Sequence, residues 1–229
     1  MKKAMIVVLA ILGLAFIMGC TTTSSSAAAP MEKEFPAPEG QIADAVWGTP
    51  AAIDGSMDPA FEKATPIETG METMGDNAAT AKAWMLWDNQ YVYVHLEVMD
   101  PKLSDANANP WEKDSIEVFI DEKNTKTDKY TAGDAQYRVN FKNEKSVGTG
   151  GSLDKMKSGA MVIDGGYAVT IAVPFLVTKP VAGSYIGFDI QVNDDDGSGM
   201  RTGQRNWNDD TNNGWQNASV FGNLHLRSK

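Results

Sequence analysis

The chain has 229 residues, 42% of them hydrophobic and 9% aromatic, enough to bury a core in one large domain or two small ones. Thirty acidic residues against 20 basic ones leave a net charge of −10. That balance, with no basic cluster, excludes nucleic acid as a main partner, because such binding draws its affinity from Lys and Arg neutralising phosphates.

Lys2 and Lys3 precede an apolar run from Ala4 to Gly19, short of the roughly 20 residues that span a bilayer comfortably. Residues 1–19 therefore read as a lipoprotein signal peptide. The run ends in Ile17-Met18-Gly19-Cys20, which resembles the lipobox of bacterial lipoproteins, with Ile at the position usually held by Leu. Cleavage before Cys20 would leave that residue N-terminal and lipidated. It is the single cysteine, so no internal disulfide competes for it. An ordinary signal peptide, or an anchor helix with an incidental Cys, fits the same residues. The expected location is the exported side of a bacterial cell envelope, with acyl chains in the outer or cytoplasmic membrane. TTTSSSAAAP, Thr21 to Pro30, has small polar residues and no apolar period. Residues 20–40 are thus expected to be the lipidated Cys and a flexible tether, and 41–229 the folded domain.

From Ala43 the signals are those of strands. AKAWMLW, a turn, and YVYVHLEVM form a hairpin in which Val92, Val94, Leu96 and Val98 alternate with Tyr91, Tyr93, His95 and Glu97, leaving one apolar face. Further runs lie at 114–121, 137–141, 166–175 and 186–193, between Gly, Asn, Asp and Pro. No segment carries an apolar stripe of helical period. The expected fold is all-β: a single-domain, antiparallel, two-sheet, jelly-roll-like sandwich.

Alternation also sorts polar side chains. Ile116, Val118 and Ile120 point opposite to Glu117; Tyr137, Val139 and Phe141 oppose Arg138 and Asn140; Ile186, Phe188, Ile190 and Val192 oppose Asp189, Gln191 and Asn193. If these strands are neighbours, Glu117, Arg138 and Gln191 converge on a patch of acceptors, a forked donor and an amide. A solvated face with unrelated charges fits the same pattern. Two loop tryptophans sit beside it: Trp111 in NANPWEKD and Trp215 in DDTNNGWQN. Flat rings next to polar groups suit a pyranose, whose C–H faces bury against aromatic rings while its hydroxyl rim needs hydrogen bonds.

AIDGSMDPAF, WMLWDNQYVYV, VMDPKL, NPWEKDSIEVFIDEKN, DAQYRVNF, GTGGS, GGYAVTIAVPF, IGFDIQVNDDD, TNNGW and FGNLHL, between Ala52 and Leu226, together resemble a family 9 carbohydrate-binding module, the kind attached to bacterial xylanases. The resemblance implies a β-sandwich that clamps a sugar between Trp111 and Trp215, with polar contacts from Glu117, Arg138, Gln191 and Asn212. It implies selection of the reducing ends of β-1,4-glucans or xylans, without catalysis or a functional cofactor. Phe61, where many members carry Trp, reads as core variation. The resemblance also implies structural calcium, for which Asp100, Asp194 and Asp195 offer hard oxygens; the spacing is not an EF-hand's, and a solvated turn fits equally. The chain departs from the usual pattern in standing behind a lipid anchor, which brings a membrane and a hydrolase or transporter into view as partners.

Two alternatives come from other classes. A glycoside hydrolase needs two carboxylates flanking the bond, and the inferred clamp holds only Glu117, which beside Arg138 suits accepting hydroxyl hydrogen bonds. A haem-binding electron-transfer sandwich would take axial ligands from Met and Lys or His; the chain has Met71, Met74, Met85 and Met99 among its 12 Met, and His95 and His225. Two distant His and no usable Cys argue against zinc.

Overall fold

Strand pairing starts where a turn residue lets the alternating chain reverse. Asp88 does so between Trp87 and Tyr91: its Oδ1 accepts the amides of Gln90 (2.7 Å) and Tyr91 (2.9 Å), and its Oδ2 the Tyr93 hydroxyl (2.7 Å). The computed structural model describes residues 28–76 and 78–229. The expected signal peptide, lipobox and lipidated Cys20 therefore lie outside the described residues.

The strands are β1 (Ile42–Trp47), β2 (Ile67–Glu68), β3 (Met71–Met74), β4 (Thr80–Trp87), β5 (Tyr91–Met99), β6 (Ser115–Asp121), β7 (Asp134–Asn140), β8 (Lys145–Val147), β9 (Lys157–Ile163), β10 (Gly166–Pro174), β11 (Tyr185–Asp194), β12 (Gly203–Asn206) and β13 (Gly222–Arg227). Among the described residues the helical elements are three short 3-10 turns, Pro59–Lys63, Pro110–Glu112 and Ala218–Val220. Hydrogen bonding runs in the order β8-β7-β6-β11-β13-β1-β4-β5-β10-β9, with β12 bridging β11 and β3, and β2 on β4. This continuous ladder folds over on itself so that β7 meets β9 and β10. The result is a two-layer sandwich, as expected, with a hydrogen-bonded seam.

The seam is not antiparallel. β1 pairs in parallel with both β13 and β4. No hairpin ties β1 to either neighbour, so the pairing direction is not dictated by a tight turn.

Between the layers, Val94, Leu96, Ile116, Val118, Ile120, Tyr137, Val139, Ile171, Phe188, Ile190 and Leu224 form the main core. These include the inward sets that alternation predicts. The hairpin differs from the one-faced expectation. Its second face carries a smaller core in which Phe61 and Ala64 pack on Val46, Leu86, Tyr93 and Ala172, because the segment between β1 and β2 lies across it. Phe61 is indeed a core residue.

His95 is buried beneath that segment. Its ring lies 5.6 Å from that of Phe61, Nδ1 is 2.9 Å from Thr170 Oγ1, and Nε2 has no hydrogen-bond partner among the described residues. Burial holds its pKa below the ordinary imidazole value, against the attraction of Glu97 and Asp54. As pH falls below about 6.5 the unfolded chain takes up this proton first, so the stability conferred by neutral His95 is present above that pH and lost below it. The urea midpoint is expected to drop between pH 7.5 and 5.5, with a shallower slope in His95→Gln.

Ahead of β1, part of the expected tether is fastened to the body. The Lys33 amide donates to Ala182 O (2.9 Å), Glu32 Oε2 accepts from Ser228 Oγ (2.8 Å), and Asn223 Nδ2 donates to Glu39 O (2.9 Å). These partners lie on or beside β13 and cannot be read from the local composition of residues 28–40.

Candidate functional site

On the outer face of one layer the strand register lines up polar side chains. Gln191 of β11 stands opposite Glu117 of β6, Glu117 opposite Arg138 of β7, and Arg138 opposite Ser146 of β8. Asn193, Ser115 and Asn140 form the adjacent row.

This face is not a solvated one. Glu117 is 1% exposed and Arg138 7%. Glu117 Oε1 accepts from Arg138 Nε (2.7 Å) and Asn193 Nδ2 (2.8 Å), and Oε2 accepts from Gln136 Nε2. Three protein donors thus hold the carboxylate and with it Arg138, and one acceptor position remains on Oε2. Arg138 Nη1 continues to Ser146 Oγ (3.0 Å). Gln191 Nε2 donates to Asn193 Oδ1 (2.7 Å), which leaves the Gln191 carbonyl oxygen for another donor.

The two tryptophans stand at the rim. Trp111 is part of the Pro110–Glu112 turn and is 44% exposed; Trp215 is 55% exposed. Neither stacks on another ring among the described residues. What fixes Trp215 is the backbone beneath it. Asp209 Oδ1 accepts Thr211 N (2.7 Å) and Thr211 Oγ1 (2.6 Å), while Oδ2 accepts Asn213 N (2.9 Å) and Gly214 N (2.8 Å). The Tyr130 hydroxyl donates to Gly214 O (2.6 Å). Below them Asp189 accepts the amides of Asn208 (3.0 Å) and Asp209 (2.7 Å). Burial pushes the Asp189 carboxyl up to about 7 despite these donors. Asn212 has the left-handed φ of 57° that Asn tolerates, and its Oδ1 accepts from Gln204 Nε2 (2.6 Å).

All six sequence-predicted residues, Trp111, Glu117, Arg138, Gln191, Asn212 and Trp215, line one cavity of about 530 Å³. Gln136, Val147, Gly148, Thr149 and Arg201 complete it. Gln136 shares the face of Arg138 two residues away, so the same alternation could have found it. Arg201 lies in a loop after β11, where no periodicity points to it. Arg201 Nη1 donates to Asn193 Oδ1 (2.8 Å), and its Nε is buried with no hydrogen-bond partner among the described residues.

The acidic cluster differs from its sequence expectation. Asp100, Asp114 and Asp194 each offer an oxygen within 4.8 Å of the others. Asp195 faces elsewhere, accepting from Ser104 Oγ (2.6 Å), Gly197 N (3.0 Å) and Gly199 N (2.9 Å). Asp195 lies just past β11, and its carboxylate is taken up within its own turn and by Ser104. Asp114, just before β6, takes the third place. Burial raises the Asp100 carboxyl and pushes Asp114 up to about 7, and Asp100 Oδ2 is buried with no hydrogen-bond donor among the described residues. Three crowded carboxylates with an orphaned oxygen fit a hard cation.

A family model described as carbohydrate family 9 binding domain-like matches residues 53–229. Endo-1,4-beta-xylanase A of Thermotoga maritima is 48% identical over 187 residues, covering 81% of this chain and 18% of that protein. Exoglucanase XynX of Acetivibrio thermocellus is 44% identical over 189 residues, covering 82% of this chain and 17% of that protein. The chain thus spans less than a fifth of the length of these relatives. A carbohydrate binding module family 9 from Caldicellulosiruptor kristjanssonii, solved in complex with cellotriose, aligns with a TM-score of 0.77 at 32% identity, over 82% of this chain and 95% of that one. Its complex with glucose aligns with the same TM-score and identity, over 97% of that chain.

Proposed function

The chain belongs to the carbohydrate family 9 binding domains, as a non-catalytic binding module, and from that premise we propose that it holds one pyranose ring between Trp111 and Trp215, at the end of a β-1,4-glucan or xylan chain. The observation that carries this reading is the pair of exposed indoles on the rim of one cavity whose floor is hydrogen-bonding groups. Stacking against the indoles buries the ring's C–H faces. Arg138, Gln191 and Asn212 then sort hydroxyls, since a buried polar group left unpaired costs about 1–3 kcal/mol. Glu117 keeps Arg138 aimed.

Hydrolysis has no second carboxylate here: Glu117 is the one acid among the described lining residues, and it is paired with Arg138. Nor do the histidines suit haem. His95 is spent on Thr170 inside the second core, and His225 stacks on Tyr185 at 4.4 Å.

A site for one or two rings has few atoms to offer, so affinity is expected in the micromolar to millimolar range, about −8 to −4 kcal/mol. Calorimetric titration with xylobiose, cellobiose and their reduced alditols tests the reading. Equal binding by the alditols removes selection for the reducing end, and no binding by any sugar removes the function.

Calcium at Asp100, Asp114 and Asp194 would neutralise their mutual repulsion and tie β6 and β11 to the end of β5. Calcium at about 100 times its Kd is expected to add ~2.7 kcal/mol of stability, read as a rise in thermal midpoint that EDTA reverses and Asp114→Asn abolishes. We also propose lipid attachment at Cys20, placing the module on the exported side of a bacterial envelope beside a hydrolase or transporter. Release from the membrane fraction by Cys20→Ser checks the anchor.

A further inference from the structure

Trp215 stands on the connection between β12 and β13, residues 207–221, which also brings Asn212 to the cavity. The ends of this arm meet, with Asn208 Nδ2 donating to Val220 O (2.7 Å). Asp209 orders its interior and Asp189 holds its first residues. Bonds within the arm do not set how far it stands from Trp111. That distance depends on what fastens its far side, and a second connection does so: residues 122–133, between β6 and β7.

Two side chains of this second connection reach the arm. Tyr130 packs its ring on that of Phe221, centroids 6.2 Å apart, in a small apolar cluster with Phe119 and Ala218. Its hydroxyl donates to Gly214 O (2.6 Å), immediately before Trp215. Lys126 Nζ donates to the carbonyls of Phe221 and Gly222, where the arm enters β13. The backbone is bent to allow this: Lys126 has a left-handed φ of 52°, uncommon for any residue but glycine. Asp121 holds that bend, its Oδ2 accepting the Lys126 amide (2.9 Å) and its Oδ1 the Lys123 amide (3.0 Å). Burial lowers the Lys126 pKa to about 8, against the attraction of Asp121 and Asp189, so the amine is charged at neutral pH. It takes the place of a bound cation, tethered by its own stem. Neither Lys126 nor Tyr130 lines the cavity.

We propose that the β6–β7 connection is a brace that sets the gap of the clamp, with Lys126 and Tyr130 as positioning residues that fix Trp215 without touching the sugar. The proposal rests on the two-tryptophan reading given above and adds the parts that hold one of its walls. A wall fixed in advance raises affinity because no ordering cost falls on binding. A role confined to stability would leave the affinity of the folded protein unchanged.

Titration calorimetry of the purified full chain with cellobiose at pH 7, well below the thermal midpoint of each sample, tests the brace. Y130F keeps the ring and loses the bond to Gly214, and its affinity should fall severalfold. K126A loses two charge-assisted hydrogen bonds, and its affinity should fall about tenfold or more. Ethylammonium, at constant ionic strength, should restore most of the K126A loss by refilling the vacated position. Tetramethylammonium has the charge but no N–H to donate and should restore nothing. If K126A does not fold, K126M, which keeps the stem, takes its place beside Y130F. Native affinity in either folded variant would overturn the proposal while leaving the clamp intact, and so would a K126A loss that ethylammonium does not reverse. Failure of the unmodified protein to bind cellobiose would overturn the clamp itself, and leave the brace nothing to position.

Discussion

Trp215→Ala is expected to abolish measurable sugar binding while leaving the fold almost as stable as before. The indole is 55% exposed and, among the described residues, packs on no other ring, so its removal opens no core cavity. The loop that carries it is held by Asp209, Asp189 and Tyr130 through backbone groups, and alanine leaves all of those bonds in place. What is lost is one wall of the proposed clamp. Truncating a central aromatic anchor of this kind costs about 2–4 kcal/mol, which takes a submillimolar ligand beyond calorimetric detection. Calorimetry and a thermal melt of the same sample separate the two effects. Binding that persists would show that the ring does not rest on this indole.

Glu117→Ala is expected to do the reverse, damaging the fold first and binding as a consequence. The carboxylate is 1% exposed and satisfies Arg138, Asn193 and Gln136 at once. Without it the Arg138 guanidinium, 7% exposed, faces Arg201 across the cavity with no counter-charge. Removing one partner of a buried ion pair costs about 3–5 kcal/mol, a large share of the ~5–15 kcal/mol that stabilises a typical domain. For a domain of this size the thermal midpoint should fall by about 10 °C. A loss below about 1 kcal/mol would mean that water enters and rehydrates the guanidinium, which the burial in this structure argues against.

The long strands and the polar face were legible because both follow from a period of two. Glu117, Arg138 and Gln191 separate from the apolar sets by counting alone, and pairing of β11, β6 and β7 then brings them into one row. The loop tryptophans were legible for a different reason: a large apolar ring among Asn, Asp, Gly and Pro has no local reason to be there. Short strands such as β3, β8 and β12, of three or four residues, contain too little sequence for any period to show. The second core was hidden because covering the hairpin depends on where a distant loop falls. Arg201 and Asp114 were missed on similar grounds, since each owes its role to neighbours far along the chain. Asp114 joins Asp194 through the pairing of β6 with β11, which a run of acids in the sequence does not show.

The placement of β1 governs how the molecule responds to mechanical load. This strand lies between β13 and β4, parallel to both, and the chain ahead of it is clipped to Ala182, Asn223 and Ser228. A pull exerted from the N-terminal side, with the opposite layer held through its cavity, runs along the axis of β1. It strains the rungs on both flanks in shear together, instead of peeling them apart in succession. The seam that joins the two layers is thus also the element through which traction on the chain spreads into the whole sandwich.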